Sequence, residues 1–224
     1  MNRLINELLA QLESMSHRAD EYELTKLLAR WCGGTELSVI RQAIAQWLSE
    51  SVVVERLRRA ARETSTHYVW PLYVCGNGYG LTINEFKDPE FMSSGYANTL
   101  HNHRYSFASL VLSGGYRQVR SNVEMSEVGG RARVSAIAED SVIHGDVVPV
   151  NHEEFHRLTH ISDRTVTLVV KCPAVKESSI SVDIKTLKVR MHVPVESRLV
   201  QLTDALTAAV DMGYREEEPN ALFA

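Results

Sequence analysis

Two histidines one residue apart, His101 and His103, are the residues of this sequence best suited to bind a metal ion. On a β-strand, side chains two positions apart point to the same face, about 6.6 Å apart along the strand. Imidazole nitrogens at that spacing can converge on one ion at nitrogen–metal distances near ~2.1 Å. An H-x-H pair alone is a weak indication, because surface and core histidines occur at the same spacing. A predicted site needs further ligands.

The residues around the histidine pair follow the spacing of a known family. Gly95 precedes the pair with five residues between, and Gly115 closes the apolar, β-prone run that follows. This spacing resembles the first sequence motif of the cupin superfamily, which runs from Gly through His-x-His and a Glu to a second Gly. Here the Glu place falls at Ala108, or at Phe107 on the shorter of two spacings. Neither side chain can bind a metal ion.

A third histidine stands at the ligand place of the second cupin motif. His156 follows Gly145 by eleven residues, and the two motifs lie in the expected order within residues 67–172. The middle of the second motif departs from the pattern, because its Pro and Gly places hold Asn151 and Glu153. The resemblance implies a mainly β fold, a jelly-roll-like cupin barrel, and a metal ion held by three histidines: His101, His103 and His156.

Three histidines without a glutamate are similar to the metal site of the thiol dioxygenases in this superfamily. That likeness implies a non-haem Fe(II)-dependent oxygenase that acts on a small-molecule substrate and O2. Imidazole suits other divalent transition metals too, so Ni, Mn, Cu and Zn stay open as alternatives. In cysteine dioxygenases of the mammalian type, a cross-linked cysteine fills the Glu place, and an early strand supplies an arginine for the substrate carboxylate. Ala108 excludes that cross-link, and no arginine lies between Thr64 and Asn102.

Two other classes of function fit the same scaffold. A metal-dependent cupin isomerase, lyase or decarboxylase uses the ion as a Lewis acid and needs no oxygen. A non-catalytic cupin sensor or binding protein is the other alternative, and the missing glutamate at Ala108 would then mark a vestigial site. Oxygen uptake in the presence of substrate separates the first alternative from an oxygenase.

Two further side chains are candidates for a catalytic role. Tyr105 shares the predicted strand face of the pair at 101 and 103, so its hydroxyl can orient a substrate or dioxygen. A core aromatic residue with its hydroxyl bonded to the backbone explains that position equally well. His160 lies on the predicted strand face of His156 but about 13 Å further along, too far to share the ion. It either supports the site from outside or is a hydrogen-bonded histidine of the core or rim.

The elements that must position these residues change along the chain. Residues 1–65 are predicted as an N-terminal helical extension, because apolar residues recur every three or four positions. Residues 66–194 are predicted as the barrel, because β-branched and aromatic residues alternate with frequent turn residues. A continuous strand is expected over Thr99–Leu112 and a hairpin turn at Gly76–Gly78. Residues 195–224 are predicted to form a C-terminal helix and an acidic tail.

Four helices are predicted in the extension, and eight or nine short strands in the barrel. Gly33–Gly34 is expected to end the second helix, and Thr35 to cap the third. The remaining strands are expected at Tyr68–Val74, Leu81–Phe86, Tyr116–Ser121, Arg131–Ala138, Asp146–Val150, Phe155–Ile161, Thr165–Lys171 and Lys188–Val193.

The composition narrows the class of protein. With 224 residues, 44% of them hydrophobic and 23% charged, the chain can bury a core without disulfides. A net charge of -4 gives no basis for nucleic-acid binding. Three cysteines without a C-x-x-C pair favour a reducing compartment. No run of about 18 apolar residues predicts a membrane span, and no secretory signal is visible, so a cytoplasmic protein is expected. A homodimer is also expected, by analogy with many cupins.

Overall fold

The computed structural model of the protein describes residues 2–88, 99–125, 130–194 and 199–211. This part of the chain is mainly β, with helices before and after the strands. The helices are α1 (Arg3–Glu13), α2 (Glu21–Cys32), α3 (Leu37–Leu48), α4 (Ser51–Ala60) and α5 (Leu199–Asp211). The strands are β1 (Arg62–Glu63), β2 (His67–Val74), β3 (Gly80–Phe86), β4 (Thr99–His101), β5 (Phe107–Ser113), β6 (Gly115–Met125), β7 (Ala132–Ile143), β8 (Val147–Val150), β9 (Phe155–Thr159), β10 (Val166–Lys171), β11 (Ser179–Asp183) and β12 (Val189–His192).

The strands form two antiparallel sheets of six strands each. Sheet A has the order β1-β2-β3-β10-β5-β8, and sheet B has the order β12-β11-β4-β9-β6-β7. Neighbours such as β3 and β10, or β4 and β9, are far apart in sequence, as in a jelly roll and unlike a series of hairpins. A cavity lies between the sheets and is lined by residues of both. This architecture confirms the predicted fold class, a mainly β, jelly-roll-like barrel with N-terminal helices and a C-terminal helix.

Helices α1 to α4 pack on the face of sheet A that points away from this cavity. The apolar stripe of α1 and the outward residues of β5 and β10 belong to one hydrophobic core. Asp20 caps α2, because its carboxylate accepts hydrogen bonds from the N–H groups of Tyr22 and Glu23, each at 3.0 Å. The chain divides into compact units at Met191, and α5 belongs to the second unit. No helix in the described residues is long and apolar enough to cross a membrane.

The predicted hairpin at Gly76–Gly78 is confirmed, and it also fastens the helices to the barrel. Gly78 has a φ of 88°, which a glycine adopts at little cost. The side-chain amide of Asn77 donates a hydrogen bond to the carbonyl of Leu12 at 2.9 Å, at the end of α1. The hydroxyl of the buried Tyr79 donates to the carbonyl of Ser16 at 2.6 Å. The turn therefore satisfies carbonyls that α1 and its following loop leave open.

The secondary structure differs from the prediction at the start of α3 and at Ser179–Asp183. Thr35 does not cap α3; Glu36 stands at the cap position, and its side chain makes no capping hydrogen bond. Ser179–Asp183 forms a strand that the sequence did not predict, paired with β4. Its five residues alternate too briefly to stand out from the loop before them, and pairing with β4 holds them extended.

Candidate metal centre

The chain crosses from one sheet to the other just after the histidine pair, so the continuous strand predicted over Thr99–Leu112 is wrong. β4 ends at His101 in sheet B, and β5 begins at Phe107 in sheet A. The segment between them bends at Arg104. His103 therefore lies beyond the end of β4, yet it faces the same cavity as His101.

Asn102 holds this crossing in place. Its backbone N–H donates to the carbonyl of Ile180 at 3.0 Å, and its side-chain Oδ1 accepts from the N–H of Ile180 at 2.7 Å. The side chain is buried, so this pair of bonds supplies partners that water would otherwise provide. The clamp fixes the backbone between the two histidines, and both rings are thereby directed into the cavity.

The three predicted metal ligands come together at one place in the cavity. His101 and His156 are cross-strand partners in β4 and β9. One ring nitrogen of each of the three histidines lies within 4.8 Å of the others. The Nε2 atoms of His103 and His156 are 2.9 Å apart. Two nitrogens that bind one ion at ~2.1 Å and at right angles to each other are about 3.0 Å apart, so the observed separation fits a shared ion.

Burial keeps two of these imidazoles, those of His103 and His156, neutral. Desolvation lowers the pKa of His103 and of His156 well below the ordinary value, and the neighbouring His101 lowers both pKa values further. A neutral imidazole offers a lone pair to a metal ion, whereas a protonated one does not. Nδ1 of His101 lies 3.4 Å from the carbonyl oxygen of Thr99, a contact that favours a proton on Nδ1 and leaves Nε2 for the ion. The donor set therefore fits a divalent transition metal.

Position 107, and not position 108, faces the histidines. The ring of Phe107 meets the ring of His103 edge-on, with centroids 4.9 Å apart, and it lines the cavity. Ala108 is fully buried on the opposite face of β5, in the core beneath the helices. The placement of the motif's Glu at Ala108 is therefore wrong, and the shorter spacing to Phe107 is the correct one. The conclusion that this place holds no carboxylate is unchanged.

The cavity has a volume of about 450 Å³. None of the described residues that line it is an Asp, a Glu or a Cys. Three neutral imidazoles would leave the double positive charge of a divalent ion without a counter-charge from these residues. The cavity is thus suited to a molecule that brings negative charge of its own.

Tyr105 and His160 both border the cavity, in different settings. The ring centroids of Tyr105 and His103 are 5.9 Å apart, and burial raises the pKa of the Tyr105 phenol, so its hydroxyl keeps a proton to donate. His160 follows the end of β9 at Thr159, has a φ of 47° and is exposed at the rim. The assumption that it continues the strand face of His156 is therefore wrong. The catalytic roles of both residues stay predictions.

A fourth histidine, His67, also lines the cavity, from the first position of β2. Its Nδ1 lies 2.7 Å from Oγ1 of Thr66, and its ring packs against Phe86 with centroids 5.2 Å apart. Burial, together with the charges of His101 and Arg62, lowers its pKa to about 4. It stays outside the group of three whose ring nitrogens converge. The direction of this side chain could not be predicted from the sequence, because the residues around it do not indicate which face of the strand points inward.

Arg62 is a cavity residue that the sequence analysis missed. It lies on β1, a strand of two residues that pairs with β2. Arg62 precedes Thr64, where the helical pattern ends, by two positions. The pattern therefore assigned Arg62 to the helical extension and not to the barrel. The available signal was weak, because a two-residue strand at the end of a helix has no period of its own.

Comparisons with known proteins find matches among solved structures. A scan against protein-family models and a search of curated proteins find no match. Among solved structures, the chain is similar to ectoine synthase from P. lautus, at 16% identity and a TM-score of 0.36, over 53% of this chain and 74% of that chain. An oxalate decarboxylase variant from Bacillus subtilis matches at 13% identity and a TM-score of 0.32, over 52% of this chain and 28% of the other. Vicilin from Corylus avellana matches at 8% identity and a TM-score of 0.36, over 55% and 32%. The chain spans less than a third of these last two proteins, and the function proposed below rests on the site alone.

Proposed function

We propose that this chain is a metal-dependent cupin enzyme, and specifically a non-haem Fe(II) oxygenase that acts on a small molecule with O2. The observation that carries the proposal is the convergence of three histidine side chains in a cavity between the sheets. Fe(II) at such a site would supply the one-electron chemistry that dioxygen requires, and three protein ligands would leave positions for other molecules. The wider resemblance to thiol dioxygenases supports the same assignment.

The chain's own residues would contribute position, charge and exclusion of water. Phe107 covers one side of His103 with an apolar ring, which keeps water from that side of the site. Tyr105 keeps its phenolic proton and can donate a hydrogen bond to a substrate oxygen or nitrogen. Arg62 places a fixed positive charge on the cavity wall, and among the described residues no acidic side chain lines the cavity to neutralise it. A small substrate with an anionic group fits this arrangement.

An oxygen-independent isomerase, lyase or decarboxylase is the second candidate. It is favoured by the same absence of carboxylates among the described cavity residues, because three neutral ligands leave a divalent ion its full strength as a Lewis acid. His67 would be a neutral hydrogen-bonding group beside the substrate in such a reaction, since its pKa of about 4 keeps the imidazole unprotonated.

Metal analysis of the purified protein tests the site first. After anaerobic loading with Fe(II) and removal of excess ion, we expect about one equivalent of iron in the wild type and less than about a tenth in His101→Ala and His156→Ala. His144→Ala, at an exposed turn, is the matched control and should keep its iron. A wild type that holds less than a tenth of an equivalent of any transition metal would refute the proposal.

Oxygen consumption tests the assignment as an oxygenase. The iron-loaded protein is mixed with small thiols and small carboxylic acids in an oxygen-electrode cell, and uptake above the His101→Ala background is expected with at least one of them. Metal-dependent conversion of a substrate without oxygen uptake would favour the second candidate instead. Full metal occupancy without any turnover would favour the binding-protein alternative.

A further inference from the structure

Three cationic side chains lie near Tyr105, which lines the cavity. The Nζ atom of Lys171 lies 5.2 Å from the ring centroid. Arg62 and Arg104 are both close enough to influence Tyr105 and Lys171 electrostatically. They come from different parts of the fold: β1, the crossing after β4, and the end of β10. We call Arg62, Arg104 and Lys171 the cation cluster.

The cation cluster has no acidic partner among the described residues. Ion pairs elsewhere in that part of the chain link arginines, lysines and a histidine to nearby carboxylates, and none of them involves a member of the cluster. Glu63, next to Arg62 in the sequence, is paired with Lys87 instead. Within the described part of the chain, these positive charges therefore have no carboxylate partner, and an anionic ligand could supply one.

Lys171 is the most informative member of the cluster, because its ammonium group is largely shielded from solvent. Strand alternation in β10 puts it on the same face as Thr167 and Val169, both of which line the cavity. Burial, followed by the charges of Arg62 and Arg104, lowers the pKa of Lys171 to about 8. An ammonium group in this setting destabilises the folded protein unless an anion accompanies it.

We propose that the cation cluster binds a dianionic group of the substrate, either a phosphate or a pair of carboxylates. Three cations facing a monoanion would leave two charges uncompensated, whereas a dianion leaves one. The hydroxyl of Tyr105, which lines the cavity, adds a hydrogen-bond donor to the same place. This inference rests on the proposed function, because the reactive end of the same molecule would reach the histidines; the rings of Tyr105 and His103 are 5.9 Å apart, a distance that a small molecule spans.

Calorimetric titration of the metal-free protein tests the proposal. The chelator is dialysed away first, because it is itself an anion. Inorganic phosphate, succinate and acetate are titrated near neutral pH at constant ionic strength. We expect phosphate or succinate to bind at least about tenfold more tightly than acetate, a difference of ~1.4 kcal/mol. Lys171→Met and Arg104→Gln should each weaken that binding about tenfold, and Lys171→Arg should restore most of it.

Lys26→Met, on the exposed side of α2, is the control and should bind the dianion like the wild type. Tighter binding of phosphate would indicate a phosphate ester as substrate, and tighter binding of succinate a dicarboxylate. Equal binding of acetate, or no effect of the cluster variants in folded protein, would overturn the proposal. The titration uses metal-free protein, so its outcome is independent of the metal-content and oxygen-uptake experiments. Failure of the dianion proposal would leave the proposed function untouched, and failure of metal binding would leave the titration valid.

Discussion

The two faces of sheet A have different functions, although the same strands form both: one packs against the helices and the other lines the cavity. On the outer face, side chains from β5 and β10 are buried beneath the helices: Ala108, Leu110, Leu168 and Val170. On the inner face, the residues between them line the cavity: Phe107, Ser109, Thr167 and Val169. One step along a strand therefore moves a side chain from the hydrophobic core to the candidate metal centre. Whether a residue of this barrel can take part in the site therefore depends on its parity, meaning whether its position in the strand is odd or even, as much as on its type.

The same substitution on neighbouring residues gives the largest expected contrast. Ala108→Glu would bury a carboxylate without a partner in the apolar core, and should lower the free energy of unfolding by more than about 3 kcal/mol. Phe107→Glu loses the packing of an aromatic ring but points its carboxylate at the histidines, and should cost about 1–3 kcal/mol in the metal-free protein. Urea denaturation followed by circular dichroism measures both.

Iron content separates the two variants further. In Phe107→Glu the new carboxylate can approach the ion, so the loaded protein should retain iron during dialysis against a competing chelator for longer than the wild type does. Folded protein from Ala108→Glu, where any is recovered, should show no such gain. A well-folded Ala108→Glu beside an unfolded Phe107→Glu would mean that the two faces have been assigned the wrong way round.

A smaller effect is expected from the cationic residue of the inner face. Lys171→Met should raise the free energy of unfolding near pH 7 by about 1–3 kcal/mol, because it removes a buried ammonium group and keeps the aliphatic stem. In the folded protein the pKa of Lys171 falls from 10.5 to about 8, so the unfolded state binds more protons between those pH values. Within that window the wild type gains stability relative to the variant as the pH rises.

Urea denaturation of both proteins at several pH values checks this sign. The difference should be full below about pH 8 and should vanish towards pH 10.5. Lys26→Met, on the exposed side of α2, should stay within about 0.5 kcal/mol of the wild type throughout. A Lys171→Met variant that is less stable at neutral pH would show that the ammonium group already has a counter-charge.

The alternation of side chains along a strand explains which site residues could be predicted from the sequence and why one prediction was wrong. His101, Tyr105 and Phe107 have the same parity, and all three border the cavity even though the strand between them is broken. Parity alone therefore selects Phe107, and counting motif positions led to Ala108. The third ligand was predictable because a fixed interval from Gly145 marks it.

Other parts of the site depend on long-range contacts that leave no local pattern. Arg62 and Lys171 are 109 positions apart, and the pairing of β1 with β2, of β2 with β3 and of β3 with β10 brings them into one sheet. Asn102 could not be recognised as a clamp, because its partner Ile180 lies in the strand that the sequence did not predict. Such residues have the right chemistry in the sequence, but tertiary structure alone decides their direction.

The smallest effect is expected where a polar contact supports the outer face. The hydroxyl of Tyr79 donates to the carbonyl of Ser16, and Tyr79→Phe removes that bond while keeping the ring in the core. The free energy of unfolding should fall by about 1 kcal/mol, because a part-buried carbonyl loses one of its two hydrogen-bond donors. Iron content should stay equal to that of the wild type, since the contact lies on the far side of sheet A from the histidines. A fall in iron content without further loss of stability would show that the packing of the helices controls the geometry of the inner face, and that the two faces are coupled.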